Sequence, residues 1–271
     1  MENRKKVLSI GAHPDDADTS CGTLLKKLAD KGWEVRLLSV TDGSRGTLHM
    51  DLVGEKLSAI RRREASRSGE VFGGRYDVMD YTDSRLQSDV ETREALIRYI
   101  RNFAPDLIIS HRPSDTHPDH RHTALLVQDS SYLLTVPAVC PDAPVMRYEP
   151  VILYWHDSFR TPYPFRPDIL VPASSGDMEA LVQAASCHES QYFDWMYWPD
   201  DLYKREWPRE KQIQDLGDRL CRRLARFTKE YARELAAKFP DTADKITHID
   251  VFEICEHGNR PDDAMLAELE R

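Results

Sequence analysis

A chain of 271 residues, 41% of them hydrophobic, is long enough to bury a sizeable core, and it carries a formal charge of −9 that works against nucleic-acid partners. The five cysteines (Cys21, Cys140, Cys187, Cys221, Cys255) are odd in number, far apart and without a CxxC, which argues against a disulfide framework and a thiolate zinc site. No window approaches the roughly eighteen apolar residues of a membrane helix, and MENRKK leads into a short VLSIGA rather than a secretory apolar region, so a soluble, cytoplasmic protein without membrane insertion is expected.

In chain order, apolar runs at 7–10, 35–40, 76–81 and 107–110 read as strands. Helical patterns at 19–30, 55–71 and 90–103 separate them, each long enough for a crossover. The runs 35–40 and 107–110 are almost wholly apolar, as strands buried on both faces should be. The fold class predicted is therefore α/β, a Rossmann-like, doubly wound, mostly parallel sheet flanked by helices in a single domain, 1–271. A helix at about 119–134 comes next, then a stretch broken by Pro137, Pro141, Pro144 and Pro150, then strands near 151–155 and 169–171. Residues 208–239 read as one long charged helix, ITHIDVFEI at 246–254 as an edge or final strand, and 256–271 as a loosely packed polar tail.

Two His-Pro-Asp motifs stand just behind predicted strands, AHPDD at 12–16 and HPDH at 117–120. In an open parallel sheet, loops and helix N-termini converge on ligands at the carboxyl ends of the strands, which places both motifs at one rim. There His13, Asp16 and His120 offer two imidazoles and a carboxylate, a set suited to a catalytic zinc with an open fourth position. Asp15, His117 and Asp119 are spare groups of the kinds that hydrolysis needs. Either motif alone also reads as a turn, with Pro fixing φ and Asp capping a helix. Asp115 and Asp119 are candidate N-caps, His122 reads as a helix-face residue, and His111 as a group supporting the ligands or, the favoured reading, a satisfied strand-end histidine.

The chain resembles the zinc-dependent N-deacetylases of the LmbE/PIG-L family. The resemblance rests on GAHPDD at 11–16, GTL at 22–24, TDGSRG at 41–46, RRREA at 61–65, HPDH at 117–120 and HESQ at 188–191. It implies zinc, with iron or cobalt as alternatives, held by His13, Asp16 and His120. It implies Asp15 as general base, His117 as oxyanion stabiliser or acid toward the amine, and Asp119 as the group orienting His117. Where many relatives have Glu after HPDD, this chain has Ala17, with Asp18 one step later. Arg61, in the spacing Arg-x-x-Glu with Glu64, is the substrate-binding candidate, against the alternative of a solvated basic turn. The implied substrate is a small N-acylated amino sugar or glycoside, and a homo-oligomer is expected. Between 188 and 207, Tyr192, Phe193, Trp195, Tyr197, Trp198, Tyr203 and Trp207 crowd together, mostly as packing residues with Trp195 or Trp198 as candidate exceptions. The function expected is hydrolysis of an N-acyl, foremost N-acetyl, group. The alternatives are a non-catalytic Rossmann-like sugar or nucleotide binder, disfavoured by the absence of GxGxxG after the first strand, and a phosphoesterase, which usually needs a second metal.

Overall fold

The computed structural model describes residues 4–270. Strands β1 (Lys6–Gly11), β2 (Glu34–Thr41), β3 (Arg75–Tyr81), β4 (Leu107–Ser110) and β5 (Val151–Trp155) pair in parallel. They are followed by β6 (Ile169–Pro172) and β7 (Ile249–Ile254), and the sheet order is β3-β2-β1-β4-β5-β7-β6. The period of two sorts the strand side chains into two cores. Val7, Leu37, Leu107, Ile109, Leu153 and Trp155 enter one, with Leu24, Leu25 and Leu28 of α2 (Gly22–Asp30) and Ala65 of α3 (Glu55–Val71). Leu8, Ile10, Leu38, Ile108 and Ile152 enter the other, with Leu96, Ile97 and Ile100 of α4 (Val90–Phe103) and Leu126 and Val127 of α5 (Pro118–Leu133). Burial on both faces is why these strands lack polar alternation, and the doubly wound, mostly parallel α/β expectation holds.

The order of strands reverses at β1, which has β2 on one side and β4 on the other. Such a switch point opens a crevice at the carboxyl ends of the two strands. Both His-Pro-Asp motifs stand there, one after β1 and one where the loop from β4 enters α5.

Several elements differ from the sequence reading. The 19–30 pattern is α2, starting three residues later than expected, and a separate short helix, α1 (Asp16–Thr19), precedes it because the turn after β1 is itself helical. Helix α6 (Ser175–Cys187) was not expected, although a capping box marks its start, Ser174 and Asp177 bonding each other's backbone N–H. The aromatic segment opens with the short α7 (Glu189–Tyr192). The 208–239 helix breaks at Tyr231 into α8 (Arg209–Glu230) and α9 (Ala232–Lys238), where Phe227 and Leu235 turn to cover Leu170, Ile249 and Val251. β7 is no edge: it lies antiparallel between β5 and β6. The tail forms α10 (Asp263–Glu270), whose Leu269 is fully buried, because Met265, Leu266 and Leu269 make an apolar stripe against the core; residue 271 lies outside the described residues. No helix among the described residues is long and apolar enough to cross a membrane.

Candidate active site

The turn after β1 is folded by its own carboxylate. Asp16 Oδ2 accepts the N–H groups of Ala12 (3.1 Å) and His13 (2.8 Å), while the Asp15 N–H reaches the Tyr76 hydroxyl (3.1 Å). Asp15 sits at φ 156°, ψ −24°, a sparsely populated conformation, and its side chain makes no cap hydrogen bond to α1. Across the crevice, α5 begins with Pro118 in its first turn, and its N-cap is His117, whose Nδ1 accepts the Asp119 N–H (3.2 Å). Neither Asp115 nor Asp119 caps that helix through its side chain.

These two turns bring three donor atoms together. His13 Nδ1 and His120 Nε2 are 3.3 Å apart, His13 Nδ1 and Asp16 Oδ2 3.4 Å, and His120 Nε2 and Asp16 Oδ2 3.5 Å. A tetrahedral ion with bonds near 2.0–2.2 Å separates its ligands by about 3.3–3.5 Å, so the triangle fits a divalent cation.

The surroundings fit as well. Asp115 Oδ2 is 3.0 Å from His120 Nδ1, and Asp83 and Asp119 lie 3.3 and 3.4 Å from His13 Nε2. His111 Nε2 accepts the Ala12 N–H (3.1 Å), but the ring also stacks on His120 at 4.1 Å, so it belongs to the site as well as to the strand end. Burial depresses the His13 pKa, yet hydrogen bonding toward Asp119, Asp16 and Asp83 outweighs it and holds the ring well above the usual histidine value. Burial would raise Asp16, but the charge of His120 and the close approach of His111 and His13 hold it well below the carboxylate range.

Asp15 is different. It is buried, its Oδ1 has no hydrogen-bond partner, and burial first, then the charge of Asp16, push its pKa up to about 7. Burial and the neighbouring His13 and His120 lower His117. Asp15, Asp16, His13, His117 and His120 line one cavity of about 310 Å³, closed by Arg45, Arg61, Asp83, Gln191, Trp195 and Met196.

Residues 8–130 match the profile of the PIG-L family, described as GlcNAc-PI de-N-acetylase. The diacetylchitobiose deacetylase of Thermococcus kodakarensis is 31% identical over 204 residues, 74% of this chain and 73% of that protein. The chain belongs to the PIG-L family. The mycothiol S-conjugate amidase of Streptomyces coelicolor is 24% identical over 60% of this chain and 64% of its own length. Among solved structures, the N,N'-diacetylchitobiose deacetylase of Pyrococcus horikoshii superposes with a TM-score of 0.70 at 26% identity, covering 94% of this chain and 85% of that one.

This PIG-L chain explains its other motifs by what they bond. Arg61 is no solvated turn: it is 2% exposed on α3 and donates to Gly46 O (2.7 Å) and to Gln191 Oε1. A Cβ at Gly43 (φ 63°) would meet Arg61 Cδ and Pro14 Cδ at 2.8 Å, and one at Gly46 would meet Arg61 Nη2 at 2.9 Å, so the glycines of TDGSRG make room for the guanidinium. Glu64 accepts the N–H and hydroxyl of Ser190 (2.9 and 2.7 Å). Asp18, one step past Ala17, is fully buried against His188 Nε2 (2.6 Å) and Ser68. HESQ is thus tied at all four positions to α1 and α3, Glu189 through Arg67 (3.3 Å), and it carries Trp195 and Met196 to the cavity wall. Trp198 instead lies in solvent, 54% exposed, while Tyr192, Phe193 and Tyr197 are packing residues.

One expectation needs correcting in detail. The Asp119 carboxylate bonds the Ser84 and Leu86 N–H groups (2.6 and 3.3 Å) and faces His13; it is the backbone N–H of Asp119 that reaches His117. His122 accepts from Ser88 N–H (3.2 Å), consistent with a helix-face residue. Sequence reasoning missed Asp83 and read Asp115 only as a candidate N-cap, not as the partner of His120. The only signal for Asp83 was YTDS at the end of a predicted strand, the same rim position as the motifs it overlooks.

Proposed function

We propose that this PIG-L family protein is a metal-dependent N-deacetylase, zinc being the first candidate ion, acting on an N-acetylated amino sugar or glycoside. The observation that carries this reading is the triangle of His13, Asp16 and His120 beside a buried, unpartnered Asp15 carboxylate. A pure sugar or nucleotide binder has no use for that lone base. When bound, a divalent ion at the triangle supplies Lewis acidity, making water more acidic and polarising the amide carbonyl.

The chain's own groups would do the rest. Asp15, its pKa raised to about 7 by burial and Asp16, accepts a proton from the attacking water. Because His117 Nδ1 accepts the Asp119 N–H, the neutral ring carries its proton on Nε2 and donates it as a hydrogen bond to the developing oxyanion. The C–N bond then breaks as Asp15 passes the proton it took from water to the amine nitrogen, giving acetic acid, which ionises to acetate, and a free amine. Arg61 and Gln191, fixed to each other in the cavity wall, would meet the sugar hydroxyls. A cavity of about 310 Å³ is at the small end of ligand pockets, a size for one sugar ring with the remainder of a glycoside outside. The two diacetylchitobiose deacetylase relatives support that class.

The test is free-amine release from N-acetylglucosamine and N,N'-diacetylchitobiose by zinc-loaded protein, before and after chelation. Chelator-sensitive release is expected, and no release by stoichiometrically loaded protein from any of a panel of N-acetylated sugars would sink the proposal.

A further inference from the structure

Asp83 and Asp119 form a clamp whose hydrogen-bond inventory is complete except for one donor. Asp119 Oδ2 and Oδ1 accept the N–H groups of Ser84 and Leu86 (2.6 and 3.3 Å). Asp83 Oδ2 accepts the Arg45 N–H (3.0 Å) and its Oδ1 the Ser84 hydroxyl (2.9 Å). Ser84 serves both carboxylates at once, with its N–H on one and its hydroxyl on the other, from a left-handed backbone at φ 62°. The Asp83 N–H in turn is held by Asp42 Oδ1 (3.1 Å). Both aspartates are buried, and the polar atom between them is His13 Nε2, itself buried, 3.3 Å from Asp83 Oδ1 and 3.4 Å from Asp119 Oδ2, at ion-pair distance from both and otherwise unpartnered.

Two carboxylates converging on one ring nitrogen demand that it carry a proton. A bare lone pair there would face two anions at the buried wall of the cavity. The proton on Nε2 frees Nδ1, the atom that faces Asp16 and His120. His120 is set the opposite way, Nδ1 to Asp115 and Nε2 inward. The two imidazoles therefore depend on carboxylates from different parts of the chain to present different nitrogens.

We propose that Asp83 is a positioning residue: with Asp119, it fixes the Nε2–H tautomer and the orientation of His13 so that Nδ1 is the atom offered to the metal. The proposal rests on the metal-site reading above, and its role is distinct from those of Asp15 and His117, since Asp83 acts through His13. Carboxylates that orient metal-bound imidazoles typically change metal affinity by about 10- to 100-fold when removed.

The test compares the parent, Asp83→Ala, Asp83→Asn and the control Asp80→Asn, an exposed carboxylate near the end of β3. Zinc affinity is measured by competition with a chromophoric chelator, and the His13 tautomer by 15N–1H correlation of the ring in metal-free and zinc-loaded protein. Asp83→Ala is expected to bind zinc about 10- to 100-fold more weakly, Asp83→Asn to retain part of the affinity through its remaining oxygen, and Asp80→Asn to match the parent. His13 in the parent is expected to show Nε2–H. An Nε2 that carries no proton in the parent, or unchanged zinc affinity in a folded Asp83→Ala or Asp83→Asn protein, overturns the proposal. A parent that binds no zinc refutes the metal-site reading, and the tautomer measurement still judges the clamp.

Discussion

Asp15 and Asp16 are neighbours in sequence with opposite environments, and that contrast divides their roles. Asp16 Oδ2 is held by two backbone N–H groups and faces two imidazoles, whereas Asp15 keeps a buried oxygen without a partner. Asp15→Asn should therefore retain metal and fold while kcat falls by about 100- to 10,000-fold, the range for a positioned general base. The competing cap role is already weakened, since the side chain makes no bond to α1. Near-parental turnover in zinc-loaded Asp15→Asn would remove the base assignment. Elemental analysis after dialysis is the companion measurement: His13→Ala and His120→Ala should each lose the ion, and stoichiometric metal in both would break the ligand set. The motif residues were legible because His-Pro-Asp behind an apolar strand is chemically costly unless used. Asp83 was not, because a single Asp in a polar turn has the same local sequence whether it caps a turn or orients an imidazole fixed far away in the chain, and Asp115, just ahead of a helix start, reads equally well as a cap.

Elements were legible where burial is two-sided and local. β4, β5, α3 and α4 follow directly from apolar runs and helical periodicity, but β7 pairs with strands about 80 to 100 residues upstream, and nothing within ITHIDVFEI says that both its edges are taken. The end of α5 shows a cost that no sequence pattern displays. Arg101 of α4 is 2% exposed and donates to the carbonyls of Leu133, Leu134, Val136, Val139 and Cys140, closing the helix and the turn beyond it. Arg101→Met keeps much of the stem but leaves those carbonyls without their donor, so a loss of about 3 kcal/mol or more in urea unfolding is expected, each unsatisfied buried group costing about 1–3 kcal/mol. A change under 1 kcal/mol would mean that water replaces the guanidinium. At the end of β5, His156 donates to or accepts from Tyr231 (3.0 Å), and burial first, then Arg226, Arg223 and Arg112, lower its pKa to about 4. A base depressed on folding takes its proton in the unfolded state first, so its contribution is full above pH 6.5 and is lost as the pH falls toward 4, with a slope of at most about 1.4 kcal/mol per pH unit. His156→Gln should flatten the difference in urea stability between pH 7.5 and pH 4.5; an identical difference in both proteins would exclude His156 as a contributor.

At the scale of the molecule, the fold sets the place of the site without setting its chemistry. A 4-carboxy-2-hydroxymuconate hydratase of Pseudomonas putida shares the architecture at a TM-score of 0.74 and 17% identity, a likeness of fold alone. What separates reactions on such a frame is which side chains reach the β1 and β4 ends, and here they come from crossovers that touch most of the sheet: His13 and Asp16 after β1, Asp83 after β3, His120 on α5, with HESQ after α6 closing the wall. The ligand triangle therefore exists only when β1 and β4 are paired and α5 is docked, and the unfolded chain has no equivalent site. An ion that binds only the folded state stabilises it by RT ln(1 + [L]/Kd), about 2.7 kcal/mol at a hundredfold excess over Kd. For a chain of this length, about 2 °C accompanies each kcal/mol, so calorimetry should find zinc-loaded protein melting about 5 °C above the chelated form, with His120→Ala insensitive to zinc. The five carboxylates around the triangle, Asp15, Asp16, Asp83, Asp115 and Asp119, repel one another less once a cation sits among them, which adds to the shift at low salt. A melting temperature unchanged between stoichiometrically loaded and metal-free protein would show that the ion binds elsewhere, on a surface that the unfolded chain offers equally well.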